Sequence, residues 1–393
     1  MSNEAVIVGA ARTPIGTAYK GSLVDVDGFT LGGHVVVEAI KRSGVDPGIV
    51  DDVVLAESLY GGGVIARYAA VAAGLTHVPG AALNRHCASG LSAVQTAAAS
   101  IMAGMDDVVV AGGVQSTSTA PRTPRRVPGT DEVDQRWMSP SHPGTPEAPN
   151  MDMTITVGWN TATSVGITRE DMDAWAARSH NRAIAAIDDG RFEAQIAPVE
   201  LEARDGTRSV FAVDEHPRRD STPEKLATLA PLHPEIPGFG ITAGNSSGLN
   251  DGAAALVIAN RAVCERQALT PLAIIRSWAS VAVEPADTGL APAPAIERAL
   301  RRAGVTVDDV SLWEINEAFA SVPIAAVRAL GLDEERVNTV GSGCSLGHPI
   351  AMTGTRMVIS LMHELQQSGG GIAVAAMCAG GGMGSAIVVE VVP

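Results

Sequence analysis

A chain that repeats part of itself at long range has few ways to fold, because each copy must bury an apolar face and the other copy is the nearest surface of matching shape. Residues 39–45, A-I-K-R-S-G-V, are answered by residues 299–305, A-L-R-R-A-G-V, and residues 50–55, V-D-D-V-V-L, by residues 307–312, V-D-D-V-S-L, at a nearly constant offset. Residues 105–113, M-D-D-V-V-V-A-G-G, have a looser echo from Gly370 onward, G-G-I-A-V-A-A-M-C-A-G-G-G. Both end in glycines after a strand-like apolar run, so two copies of one α/β unit are expected. In this register Cys87 of the first copy corresponds to the neighbourhood of Gly347 and His348 in the second. Two helix entrances related by a pseudo-twofold axis would bring Cys87 and His348 together.

The stretch around that cysteine supports a buried helix. From Arg85 to Asp106 no charged residue intervenes, while Leu91, Val94, Ala98, Ile101 and Met102 recur at helical spacing among small neighbours. Ser89 and Gly90 allow close backbone approach, and the unpaired N–H groups of a helix start would favour a thiolate at Cys87. An arbitrary cysteine is more often a small buried apolar residue, so Cys87 needs support from elsewhere in the chain.

The remaining segments alternate strand and helix. Residues 5–9 and 53–55 read as buried strands, residues 30–43 as a helix closed by Gly44, and residues 108–114 as a strand. From about Ser116 to Asn150 the sequence is rich in proline and arginine and has no period, which reads as a surface excursion. A helix over residues 169–190 follows, then charged, β-rich sequence to Ala230. With 393 residues, 46% hydrophobic and only 3% aromatic, the core must be built from Ala, Val, Leu and Ile packed through glycine. A formal charge of -15 excludes general binding to nucleic acid or to anionic membrane. It leaves room for a small anionic ligand at local arginines, of which Arg122, Arg125, Arg126, Arg218 and Arg219 form two groups. The four cysteines, Cys87, Cys264, Cys344 and Cys378, match no zinc or disulfide spacing, so reduced thiols and no metal are expected. No apolar run reaches membrane-spanning length and neither end carries a targeting pattern, which points to a cytoplasmic protein.

Four further motifs join C-A-S-G at Cys87: N-E-A-F from Asn316, G-S-G-C-S-L-G-H-P ending at Pro349, C-A-G-G-G from Cys378, and T-A-G-N-S-S-G-L-N-D-G from Thr242. In this order and spacing, from A-A-R-T-P-I-G near the start onward, the whole chain resembles the thiolase family. The resemblance implies a duplicated five-layer α/β/α/β/α core with an inserted loop domain. The expected division is 1–118 with 249–270, 119–248, and 271–393. It implies coenzyme A as co-substrate with no permanently bound cofactor, acyl-CoA as substrate, and a homodimer or homotetramer whose tetramer contact is the proline-rich excursion. By resemblance Cys87 is the acyl-accepting nucleophile, His348 its proton partner, and Cys378 the second acid and base. Asn316 would hold a water in one oxyanion hole; the N–H groups of Cys87 and Gly380 would form the other. Ala243 and Ser247 match positions on the pantetheine arm, and Arg218 one near the nucleotide. Cys264 and Cys344 match no role and are read as packing. Gln115, Trp159, His233 and the G-S-G-C segment depart from the family pattern, so acyl specificity is open. Two other readings share parts of this pattern: a ketoacyl synthase, which lacks the second cysteine, and an acyl-CoA or lipid carrier without turnover.

Overall fold

The computed structural model describes residues 3–60, 63–135, 137–203 and 205–392; the terminal residues Met1, Ser2 and Pro393, read above for targeting signals, lie outside this set. Nine strands carry the architecture: β1 (Ala5–Arg12), β2 (Asp52–Ala56), β3 (Gly80–Leu83), β4 (Val108–Ser116), β5 (Asn250–Asn260), β6 (Ala273–Ala282), β7 (Val310–Ile315), β8 (Gly371–Ala379) and β9 (Met383–Val391). They run in the order β3-β2-β4-β5-β1-β6-β9-β8-β7. The duplication is visible in that order. β2-β4-β5-β1 and β7-β8-β9-β6 have the same sequence of parallel, antiparallel and antiparallel pairings. The two halves meet at β1 and β6 through only two residue pairs, Val6 with Ile274 and Ile7 with Ala273. A short 3-10 turn leads into the strand in each copy, Pro47–Ile49 just before the first V-D-D and Val307–Asp309 on the second.

Alternation along the strands sorts their side chains into three apolar layers. In the first half, Val53, Leu55, Val108 and Val110 face outward onto α1 (Gly28–Ser43) and α2 (Val64–Ala72). In the second, Val374, Ala376 and Val388 face outward onto α5 (Pro292–Ala303) and its neighbours. Val54, Val109, Ala373, Ala375 and Ile387 face inward, and between them lie α3 (Ser89–Met102) and α7 (Ile350–Gln367). Helix, sheet, helix pair, sheet and helix make the five layers. α3 is buried along most of its length, with Thr96, Ala99 and Met102 exposed, and carries no charge, as the sequence suggested; α7 is buried likewise but holds Arg356 and Glu364.

The two middle helices cross backbone to backbone near their N-termini. A Cβ on Gly90 would lie 2.8 Å from the Ala351 carbonyl oxygen, and one on Gly354 would lie 2.4 Å from the Leu91 nitrogen. Only glycine permits that approach, and the Thr355 hydroxyl donates to the Gly90 carbonyl at 3.3 Å across the crossing.

Between Ser116 and Asn150 the chain is mostly exposed and, among the described residues, forms only the small ribbon Arg125–Arg126 with Val133–Asp134. Next come the π-helix Thr154–Trp159 and α4 (Arg169–Asp188). The β-rich expectation to Ala230 is largely overturned: one hairpin, Val199–Glu202 with Arg208–Phe211, is followed by loop and a short helix, Pro223–Ala227. Its prolines and capping Thr222 break the alternation that a longer strand needs. Sequence reading also missed α2 and β3, whose small residues carry no clear period.

Candidate active site

Two groupings of the expected residues form: Cys87 with Gly380 and Cys378, and His348 with Asn316, linked through the adjacent ends of β7 and β8. Cys87 ends a tight turn before α3. The Asn84 Oδ1 accepts the His86 N–H at 2.8 Å, and the Ser89 hydroxyl accepts the Arg85 N–H at 2.7 Å and donates to the His86 carbonyl at 2.6 Å. Arg85 reaches across to the second half, donating to Ser92 Oγ at 2.8 Å and Ser280 Oγ at 2.7 Å. The turn is therefore braced against both copies.

Cys87 is half-buried as a residue. Burial pushes its pKa up to about 11, although the N–H groups of Gly380 and of Cys87 itself pull in the opposite direction. This corrects the expectation of a helix-stabilised thiolate: the donors are present, but lost hydration outweighs them in the free protein. The same geometry shows that Gly380 belongs to the cysteine's immediate surroundings. Gly380 starts the C-A-G-G-G turn, in which Gly381 and Gly382 take positive φ of 89° and 77°.

His348 precedes α7 and is buried. Its N–H donates to Asn250 Oδ1 at 3.0 Å. Its Nδ1 lies 2.7 Å from the Thr353 hydroxyl, which donates its single proton to the Pro349 carbonyl at 2.9 Å. Thr353 must then accept from Nδ1–H, which leaves Nε2 bare. Nε2 faces the Asn316 amide nitrogen at 3.5 Å. Burial and the nearby Arg356 guanidinium depress the His348 pKa to about 3, so the ring is neutral.

Asn316 and Cys378 stand at the ends of the adjacent parallel strands β7 and β8, and the Asn316 N–H donates to the Ala376 carbonyl at 3.0 Å. Both are buried, and the Asn316 Oδ1 has no hydrogen-bond partner among the described residues. Burial raises the Cys378 pKa, and a negative charge on Cys87 raises it further. The two thiols therefore share one electrostatic environment.

Other residues were missed by sequence reading. Glu317 is fully buried and takes four neutral donors: Trp175 Nε1 at 2.8 Å, Asn338 Nδ2 at 2.9 Å, Ser179 Oγ at 2.6 Å and the Cys344 N–H at 3.1 Å. Arg356 pairs with Glu314, both buried. Asn250, Thr353 and Glu317 each lie in or beside a motif already noted, but nothing in sequence spacing shows which atom a polar side chain will meet.

The departures find plain settings. Gln115 accepts from Ser58 at 2.6 Å and donates to Thr117, which donates to the Asn250 carbonyl, so that Gln115 stands three hydrogen bonds from His348. Trp159 is half-buried and packs on Phe239. His233 contacts Asp152 and Glu235. Cys344 and Cys264 are buried among apolar side chains, as expected for packing. Of the residues expected to meet coenzyme A, Ala243 is exposed, while Ser247 is half-buried with its N–H on the Ala318 carbonyl at 2.9 Å. Arg218 is an exposed residue whose N–H donates to His180 Nδ1 at 3.1 Å.

Residues 5–262 match the N-terminal thiolase domain, and residues 269–391 match the C-terminal thiolase domain. The chain belongs to the thiolase family. An acetyl-CoA acetyltransferase of Syntrophomonas wolfei is 40% identical, over 99% of this chain and 100% of that protein. A 3-ketoacyl-CoA thiolase of Bacillus subtilis is 39% identical, over 98% and 99%. Among solved thiolase structures, the acetyl-CoA acetyltransferase of Bacillus anthracis superposes with a TM-score of 0.89 at 38% identity, covering 100% of this chain and 99% of that one.

Proposed function

We propose that this thiolase cleaves a 3-ketoacyl-CoA with coenzyme A to acetyl-CoA and a shortened acyl-CoA, or runs the reverse condensation, through an acyl-Cys87 intermediate. The observation that carries the reading is the pair of thiols, Cys87 and Cys378, set from opposite copies beside one glycine turn, with a neutral imidazole on the α7 side. In the first half-reaction the Cys87 proton passes to His348 Nε2, and the sulfur attacks the 3-keto carbon. Collapse breaks the C2–C3 bond, and Cys378 delivers its proton to C2 of the departing acetyl-CoA enolate. Acylation abolishes the charge on Cys87, which removes one of the effects opposing Cys378 ionisation at the step where Cys378 gives up its proton. In the second half-reaction Cys378 takes the thiol proton of coenzyme A, the CoA sulfur attacks the acyl-Cys87 carbonyl, and His348 returns its proton to Cys87.

The unpartnered Asn316 Oδ1 supports a water held beside His348 as one oxyanion hole. The Cys87 and Gly380 N–H groups serve as the other. Ala243 and Ser247 are assigned to the pantetheine arm and Arg218 to the nucleotide end. Division into 1–118 with 249–270, 119–248 and 271–393, a homo-oligomeric state and a cytoplasmic setting belong to the same proposal. Among the described residues no helix is long and apolar enough to cross a membrane.

The test uses Cys378→Ala. This variant should still acylate at Cys87 from a reactive thioester, seen as a mass shift on the peptide, while losing cleavage of acetoacetyl-CoA. Undiminished cleavage would remove Cys378 from the mechanism. No acyl adduct on wild-type Cys87 and no turnover of any 3-ketoacyl-CoA would overturn the enzyme reading.

A further inference from the structure

The turn before Cys87 holds a second imidazole that these steps leave unused. His86 has a φ of +47°, in the left-handed region that few residues other than glycine adopt. Hydrogen bonds from both sides impose that conformation: its N–H is held by Asn84, and its carbonyl accepts from the Ser89 N–H at 3.0 Å and from the Ser89 hydroxyl. Glycine would satisfy the same turn with no strain, so what this sequence adds there is the ring itself.

The ring lies on the wall of the nucleophile's site. A Cβ placed on Gly380 would have three nearest neighbours: Met153 Sδ at 3.7 Å, Ser141 Oγ at 3.8 Å and His86 Cγ at 3.9 Å. Three distant segments thus meet over the residue whose N–H faces the Cys87 sulfur. Two of the polar groups there are already spent. The Ser141 hydroxyl lies 2.8 Å from His142 Nδ1 and 3.0 Å from Asn150 Oδ1, and His142 Nε2 lies 2.9 Å from the Ala148 carbonyl. His86 differs: neither ring nitrogen is hydrogen-bonded to any described residue. Burial, followed by the proximity of His142, lowers its proton affinity, so the half-buried ring is neutral and offers one donor and one acceptor. Ser247, assigned above to the pantetheine arm, is tied to the Asn316 loop through the Ala318 carbonyl.

We infer that His86 is a specificity-determining residue that hydrogen-bonds an uncharged oxygen function, a hydroxyl or carbonyl, on the acyl chain of the substrate. The inference rests on the thiolase reading above. A plain alkyl chain would cover the ring and leave its nitrogens unpaired, which disfavours that substrate relative to one carrying a matching oxygen.

Thiolysis of 3-ketohexanoyl-CoA and of 6-hydroxy-3-ketohexanoyl-CoA tests this with substrates of equal chain length. The wild-type protein should show about fivefold higher kcat/KM for the hydroxylated compound, the worth of one neutral hydrogen bond. His86→Leu should reverse the order. His86→Asn, which tolerates the left-handed backbone but is shorter, should abolish the preference if the leucine variant does not fold. Turnover of both compounds with no wild-type preference, or a preference that survives both substitutions, overturns the inference and leaves the thiolase reading standing. No turnover of either compound or of acetoacetyl-CoA overturns both.

Discussion

The proton on His348 is assigned by a hydroxyl five residues away. Thr353 gives its one proton to Pro349 and so accepts from Nδ1–H, which leaves Nε2 unprotonated, the state in which the proposed mechanism has it take the Cys87 proton. That service matters because Cys87, at a pKa of about 11, is a thiol at neutral pH and needs a base. Thr353→Val should therefore slow acylation of Cys87 from a thioester by about tenfold or more. Thr353→Ser should restore it, since the hydroxyl returns. Stopped-flow acylation across pH 6 to 9 checks this, and an unchanged rate in the valine variant would remove Thr353 from its positioning role.

Among elements, the site depends on contacts that no single segment contains. Gly90 and Gly354 let α3 and α7 cross closely enough to set their entrances side by side. Glu317 then locks three further elements together, taking donors from α4, from Asn338 and from the Cys344 segment that leads to His348. Burial raises its pKa even though each of these donors favours the carboxylate. Glu317→Leu would leave several buried donors unpaired, each costing roughly 1–3 kcal/mol. Urea unfolding should report a loss of at least about 3 kcal/mol. A loss below about 1 kcal/mol would show that water replaces the carboxylate without strain.

For the molecule as a whole, buried and half-buried histidines set the acid limit. His180, His216 and His363 have pKa values depressed to about 4 and His348 to about 3, each mainly by burial. Unfolded histidines titrate near 6.5, so between about pH 6.5 and 4 the unfolded chain binds more protons than the native one. Stability contributed by these groups is therefore full above about pH 6.5 and is lost as pH falls toward their folded values. The urea midpoint should decline steadily from pH 7 to 4.5, and replacing His363 with Gln should flatten that decline. A midpoint independent of pH over this range would contradict the depressed values.

The sequence alone determined the duplication and the alternation of strands and helices, because the repeats and glycine-rich motifs restrict backbone geometry locally; the reacting residues proposed above came from its resemblance to the thiolases. Charge-free α3 was legible because a largely buried helix admits a charge only where a partner meets it, as Glu314 meets Arg356 on α7. Only the tertiary structure decided that Cys87 is held as a thiol, that Thr353 directs the His348 proton, that Glu317 gathers four donors, and that His86 stands beside Gly380. Each of these depends on which atoms from distant segments come within hydrogen-bond reach and on how much water is excluded. Neither quantity is local, so neither can be read from spacing along the chain.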